Sequence, residues 1–236
     1  MKSSDNNTPR HIGIILDGNR RFAKRLMLEP WKGHEYGAGK IEKLFDWCKE
    51  LDIKELTLYC FSQENFNRPK EEFDFLMNLF IKTFKKYKND KRIHENKIKI
   101  NFIGRTDMLP KELQKEMKEM AEKTKNYSDY IVNFALAYSG RDEILDAVKK
   151  IAKQVKNNQL KENEIDEKTF GKNLYINSEP DLIIRTGGEK RTSNFLPWQS
   201  VYSEWLFLDK MWPEFEKQDL INAIKDFKNR ERRFGR

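Results

Sequence analysis

The 236-residue chain predicts one α/β domain, a mostly parallel six-stranded sheet flanked by helices. Three observations point there. Short aliphatic and aromatic segments recur along the chain, helical periodicity fills most gaps between them, and no linker, repeat or low-complexity tract interrupts the alternation. Strands alternating with helices make βα units, so the sheet is parallel and covered on both faces. The polar residues 1–10, "MKSSDNNTPR", form a tail, and residues 11–236 form the domain.

Each element has its own signal. "HIGIIL" (11–16) is an apolar run that opens the sheet, and "ELTLYCF" (55–61) follows as the second strand. Between them Ile41, Leu44, Phe45, Cys48 and Leu51 share one helical face. Residues 71–88 place Phe73, Leu76, Leu79, Phe80, Phe84 and Tyr87 at three- and four-residue spacing, again a helix. "KIKINFIG" (97–104) is a strand, the stretch after Pro110 a helix, and "YIVNFALAY" (130–138) a strand. Ile144, Leu145, Val148, Ile151 and Val155 then line a helix. "DLIIRT" (181–186) and "EWLFL" (204–208) complete the sheet, and Gln218–Arg230 reads as a last helix.

Composition narrows the function. Hydrophobic residues make up 38% and charged residues 36%, which suits a soluble globular chain with a charged surface. No apolar run approaches the roughly 18 residues of a membrane helix, and the N-terminus lacks a signal-peptide core. A cytoplasmic location is expected. Cys48 and Cys60 sit in apolar segments outside any CxxC pair and read as buried, reduced thiols. The net charge of +8 favours anionic partners, unless lysine-rich helices such as "KKYKNDKR" are simply solvated faces. Nucleic acid is not expected as a partner, because the aromatics follow core periodicity rather than an exposed stacking face.

Three strand ends carry polar clusters: "DGNRRFAK", "SQENFNRP" and "RTGGEKRTSNF". Asp-Gly behind an apolar run is also a hairpin signal, but a parallel sheet places Asp17 at a carboxyl edge, where α/β ligands gather. Brought together, the clusters supply Arg20, Arg21, Arg68, Arg185 and Arg191, with Asp17 and Glu204 as the acids. Guanidinium groups suit phosphate oxygens, and the glycines of "TGGE" leave backbone N–H groups accessible. Asp17 is then either an ion-pair partner or a ligand for Mg²⁺, which favours one or two carboxylates plus phosphate oxygens. Walker A and GxGxxG are absent, so familiar nucleotide sites are excluded. His11 and His94 read as structural or surface residues; His34 either faces an anionic ligand or caps a helix. Helix 71–88 and "YIVNFALAY" line an apolar tunnel or form ordinary core.

The blocks "HIGIILDGNRRFAK", "LTLYCFSQENFNRPKEE", "YSGRDEI", "DLIIRTGGEKRTSNFLPWQ" and "SEWLFLDKMWPEF" resemble the cis-prenyltransferases, the undecaprenyl diphosphate synthase family. The resemblance spans residues 11–236. "DGNRR" and "AYSGRDEI" look nearer archaeal or eukaryotic members. The DDxxD motif of trans-prenyltransferases is absent.

The resemblance implies condensation of isopentenyl diphosphate onto an allylic primer, farnesyl or geranylgeranyl diphosphate, giving a polyprenyl diphosphate such as undecaprenyl diphosphate. It implies Mg²⁺, a homodimer and a peripheral membrane contact for product release. Asp17 matches the catalytic, metal-binding aspartate, and Glu204 the second metal-associated acid. Gly18, Asn19, Arg20 and Arg21 match a phosphate-binding loop, with Phe22 beside the substrate. His34, Ser62, Gln63, Glu64, Phe66 and Arg68 match further substrate-binding positions. Asn65 matches a position assigned as proton acceptor; a neutral amide is a poor base, so Asn65 is expected to position substrate or water. Arg185, Arg191, Thr192 and Ser193 match the isopentenyl diphosphate grip, and Arg233 and Gly235 a motif that reaches a neighbouring subunit. Pro30 stands where bacterial members carry an arginine, which Lys32 or Arg25 would have to replace. A non-catalytic partner subunit is the alternative reading, and it would be expected to have lost these charged residues.

Overall fold

The computed structural model describes residues 8–230; Arg233 and Gly235 lie outside them. Six strands form one sheet: β1 (His11–Ile15), β2 (Glu55–Ser62), β3 (Ile98–Ile103), β4 (Tyr130–Tyr138), β5 (Leu182–Arg185) and β6 (Glu204–Phe207). Their order is β3-β4-β2-β1-β5-β6, and every pairing is parallel. The helices are α1 (Asn19–Arg25), α2 (Gly33–Glu50), α3 (Lys70–Tyr87), α4 (Lys91–Glu95), α5 (Lys111–Thr124), α6 (Gly140–Lys156), α7 (Glu167–Asn173) and α8 (Lys217–Asn229).

The six strands and the long helices fall where hydrophobic periodicity places them. α1, α4 and α7 were not anticipated: at seven, five and seven residues they are too short to show a 3.6-residue pattern. α1 begins behind Gly18, whose φ of 101° is a left-handed entry open to glycine.

Alternation along β1 builds two cores. Ile12 and Ile14 face a large core made with α2, α3, α5 and α8, while Ile15 joins Tyr59, Tyr138, Ile183 and Phe195 on the other face. A polar row ties four strands together near the amino end of the sheet. Asn101 donates to Asn133 (2.8 Å), Asn133 donates to Thr57 (3.0 Å), and His11 Nε2 meets Thr57 at 2.8 Å. His11 is thus structural, and so is His94, held between Tyr127 and the Lys88 carbonyl at 3.0 Å each.

Near its carboxyl end β2 slips register against β4, between Tyr59 and Phe61 and again before Ser62. Bulges of this kind re-aim side chains beside sites. Cys48 is buried as expected. Cys60 is only half-buried, because it faces the cavity described next. Among the described residues no helix is long and apolar enough to cross a membrane.

Candidate functional site

The sheet order reverses at β1, with β2 on one side and β5 on the other. Such a switch point opens a crevice beyond the carboxyl ends of the strands. A cavity of about 580 Å³ fills it, bounded by Asp17, Asn19, His34, Arg68 and Arg185 at its polar end.

Asp17 stands two residues past the end of β1 and is pinned through its backbone. Its carbonyl accepts hydrogen bonds from the Trp212 N–H (2.9 Å) and the Thr186 hydroxyl (2.8 Å). Its Oδ1 accepts from the Gly18 N–H at 2.6 Å and from Arg21 at 3.3 Å, and its Oδ2 from Arg185 at 2.8 Å. Gly187, at φ 87°, lets the 186–189 loop close onto this turn. A Cβ there would stand 2.7 Å from Arg21 Nη2 and 3.1 Å from the Gly18 nitrogen.

Arg185, at the end of β5, is 4% exposed. Its Nη1 donates to the Arg191 carbonyl (2.5 Å) and Ser193 Oγ (2.6 Å), while its Nε–H has no partner in the protein. A guanidinium braced in this way at the edge of a cavity is a strong anion site. The Arg191 side chain is exposed and pairs with Glu189 at 2.6 Å, and Glu189 also meets Arg21 at 3.7 Å.

The opposite wall comes from α2 and α3. Glu72, in the first turn of α3 and 1% exposed, holds Arg68 at 3.0 Å and Arg20 at 3.6 Å. Arg68 Nη1 reaches His34 Nε2 at 3.5 Å. Arginine only donates, so His34 Nε2 accepts and its proton belongs on Nδ1. Burial, reinforced by Arg68 and Arg20, holds His34 down to about 3, so it is a neutral imidazole at physiological pH. Burial likewise lowers Arg68, with Glu72 opposing. Asn65 Oδ1 already accepts the Ser62 N–H at 3.1 Å. Its Nδ2–H₂ is therefore the free end, a donor and not a base. Ser62, Glu64 and Asn65 all border the cavity.

Some predicted residues stand elsewhere. Phe22 packs edge-on to Tyr36 at 5.3 Å, Phe66 edge-on to Phe61 at 5.2 Å, and Gln63 reaches Met108 Sδ at 3.9 Å. Thr192 is exposed beside the grip. Arg25 turns to Glu214 and Lys32 is exposed, and neither borders the cavity in place of the arginine missing at Pro30. Glu204 begins β6 in register with Leu182, three residues below Arg185, and pairs with Arg230 at 2.7 Å. Within this chain it is thus at the other edge of the sheet from Asp17.

Sequence reasoning missed Glu72 and Trp212. Glu72 had a readable signal, an acid four residues after Arg68. Trp212 had none: its N–H on Asp17 and its indole on the Gly37 carbonyl (2.9 Å) join segments about as far apart in sequence as the chain allows. Beyond the polar end the cavity follows α3 past Leu76, Leu79 and Phe80 to Phe84, with Phe134 of β4 beside it. At 1.5 Å per residue, Glu72 to Phe84 spans roughly 18 Å.

Residues 15–235 match the protein family described as "Putative undecaprenyl diphosphate synthase". The chain is 50% identical over 237 aligned positions to the tritrans,polycis-undecaprenyl-diphosphate synthase (geranylgeranyl-diphosphate specific) of Methanopyrus kandleri, covering 100% of this chain and 88% of that protein. It is 48% identical to the synthase of the same name from Thermococcus kodakarensis, covering 100% and 90%. The crystal structure of lavandulyl diphosphate synthase from Lavandula x intermedia, in complex with dimethylallyl diphosphate, superposes with a TM-score of 0.92 at 34% identity, covering 98% and 100%. The chain belongs to the undecaprenyl diphosphate synthase-like, cis-prenyltransferase family, whose members are transferases of prenyl groups.

The Mg²⁺ implied by the resemblance can be tested against these donors. Asp17 offers one partly exposed carboxylate, a hard-oxygen ligand, beside guanidiniums that would hold substrate phosphates. That suits Mg²⁺, which takes few carboxylates and completes its shell with water and phosphate oxygens. Among the described residues no three His, Cys, Asp or Glu side chains gather as a metal cluster, so Asp17 would need the diphosphate as co-ligand.

Proposed function

We propose that the chain elongates an allylic diphosphate with isopentenyl diphosphate to a long-chain cis-polyprenyl diphosphate, with geranylgeranyl diphosphate as primer and an undecaprenyl-length product. The observation that carries this is the pairing of buried Arg185 with partly exposed Asp17 at the head of a cavity whose wall turns apolar along α3. The names of the archaeal relatives support the primer and the product. The cavity turns apolar along α3, which suits the tail of an allylic primer. Growth to an undecaprenyl length would require the apolar floor around Phe80 and Phe84 to open into a tunnel.

In this reading the allylic C1–O bond breaks, its electrons pass to the diphosphate, the isopentenyl double bond attacks that carbon, and proton loss restores an alkene. Arg20, Arg21 and His34 bind and orient the allylic diphosphate, and Arg185, Arg191 and Ser193 hold the isopentenyl diphosphate. Charge building on the leaving oxygens meets donors already in place, the most effective electrostatic arrangement. Asn65 orients the nucleophile through its free amide N–H. Mg²⁺ held by Asp17 would add Lewis-acid stabilisation of the diphosphate. A homodimer, a cytoplasmic location and a peripheral membrane contact accompany the proposal. Retention of Asp17 and Arg185 weighs against a non-catalytic partner subunit.

The test is to incubate the purified chain with Mg²⁺, labelled isopentenyl diphosphate and either primer, then to chromatograph the products. Long-chain product made best from geranylgeranyl diphosphate is expected; no incorporation with either primer overturns the reading.

A further inference from the structure

We propose that Asn194 is a positioning residue for the isopentenyl diphosphate grip, clamping the loop that carries Arg191 and Ser193 onto the first turn of α6. The inference rests on the function proposed above and names a residue that acts through others.

The first N–H groups of any helix lack partners within it. In α6 they are met from more than fifty residues away: the Asn194 carbonyl accepts from Gly140 N–H at 3.0 Å, and Asn194 Oδ1 accepts from Arg141 N–H at 2.9 Å. Asn194 Nδ2 also donates to Ser139 Oγ at 2.9 Å. One residue thus caps two N–H groups of a seventeen-residue helix and braces its N-cap residue, Ser139, whose hydroxyl accepts from the Asp142 N–H at 3.3 Å.

The loop is strained where it does so. Ser193 (φ 48°), Asn194 (φ 61°) and Leu196 (φ 48°) are three left-handed non-glycine residues within four positions. Backbone of that kind persists only where its surroundings hold it. Two further contacts help. The Leu196 N–H donates to Tyr138 Oη at 3.3 Å, and the Tyr138 hydroxyl donates in turn to buried Glu143 at 2.5 Å. Gly140 admits the loop so closely that a Cβ there would stand 2.1 Å from Pro197 Cδ.

The neighbours of Asn194 show what the strain achieves. Ser193 Oγ and the Arg191 carbonyl are the two acceptors that fix Arg185 Nη1, leaving Nη2 on Asp17. If the clamp loosens, Arg185 keeps its charge but loses the braced geometry with which it would grip a diphosphate, and binding of that anion weakens.

Asn194→Gly tests this cleanly, since glycine adopts positive φ freely and keeps the carbonyl bond to Gly140 while deleting both side-chain bonds. Ala147→Gly weakens the same helix from its middle without touching the loop. Isopentenyl diphosphate alone gives a calorimetric Kd, and steady-state kinetics give KM for each substrate. For Asn194→Gly we expect Kd and KM for isopentenyl diphosphate to rise about 5- to 10-fold, as for a lost hydrogen bond. The primer KM and kcat should stay within about threefold, the signature of lost binding rather than of a lost transition-state contact. Ser139→Ala, which removes the Nδ2 bond together with the cap on the Asp142 N–H, should give a smaller rise, and Ala147→Gly none. Binding by Asn194→Gly within twofold of wild type, or equal weakening by Ala147→Gly, overturns the inference. Failure of the wild-type chain to bind isopentenyl diphosphate would instead overturn the functional reading and this substrate assignment with it.

Discussion

Removing the Asp17 carboxylate should separate binding from turnover. In Asp17→Ala, Arg185 loses its Nη2 partner while Nε–H already lacks one, and the guanidinium stays almost fully buried. An unsatisfied buried donor costs about 1–3 kcal/mol, with Nη1 still braced by Ser193 and the Arg191 carbonyl. For a domain of this size the melting temperature should fall by about 2–12 °C. Without metal, inorganic pyrophosphate should bind Asp17→Ala at least as tightly as wild type, because a competing anion has gone from between Arg21 and Arg185. Turnover with Mg²⁺ should nevertheless drop by about 10²- to 10³-fold, the effect of losing one preorganised electrostatic group. Calorimetry with pyrophosphate and incorporation of labelled isopentenyl diphosphate read the two quantities separately. Near-normal incorporation, or loss of metal-free pyrophosphate binding, would refute the reasoning.

Other substitutions probe the rest of the site. Phe84 packs against Phe102 (4.9 Å), Phe134 (5.3 Å) and Phe80 (6.1 Å) at the cavity floor. Phe84→Ala removes the six ring carbons, about one isoprenoid unit, and should lengthen the product distribution on chromatography while costing about 3 kcal/mol in a urea melt. Gly187→Ala must adopt a φ of 87° and push Arg21 away, so we expect at least about 1–2 kcal/mol of destabilisation, with a higher primer KM. His34 is depressed from 6.5 to about 3, so its neutral form is favoured by folding. That contribution is complete above pH 6.5 and is lost as pH falls towards 3; His34→Asn should therefore flatten the acid side of the melting profile relative to wild type. Identical profiles would show that His34 is not buried as described.

The six strands and the long helices were legible without coordinates, because period-two and period-3.6 patterns are local properties written into neighbouring residues. The sequence also placed Asp17, Arg68 and Arg185 at strand ends, since the chemistry of a polar cluster behind an apolar run is visible without coordinates. Only the tertiary structure decided which of those residues meet. Phe22, Phe66 and Thr192 share the motifs but do not border the cavity, because their side chains leave the backbone in other directions. Glu204, near the grip in sequence, returns to the amino edge of the sheet, because β6 runs parallel to β5 and must start level with Leu182. Trp212 and Asn194 act through bonds across long sequence separations, and Glu72 adds distant Arg20 to its local pair with Arg68. Hydrophobic pattern sets an element's type and face, but the partner of a hydrogen bond depends on how loops cross, and no periodicity encodes that.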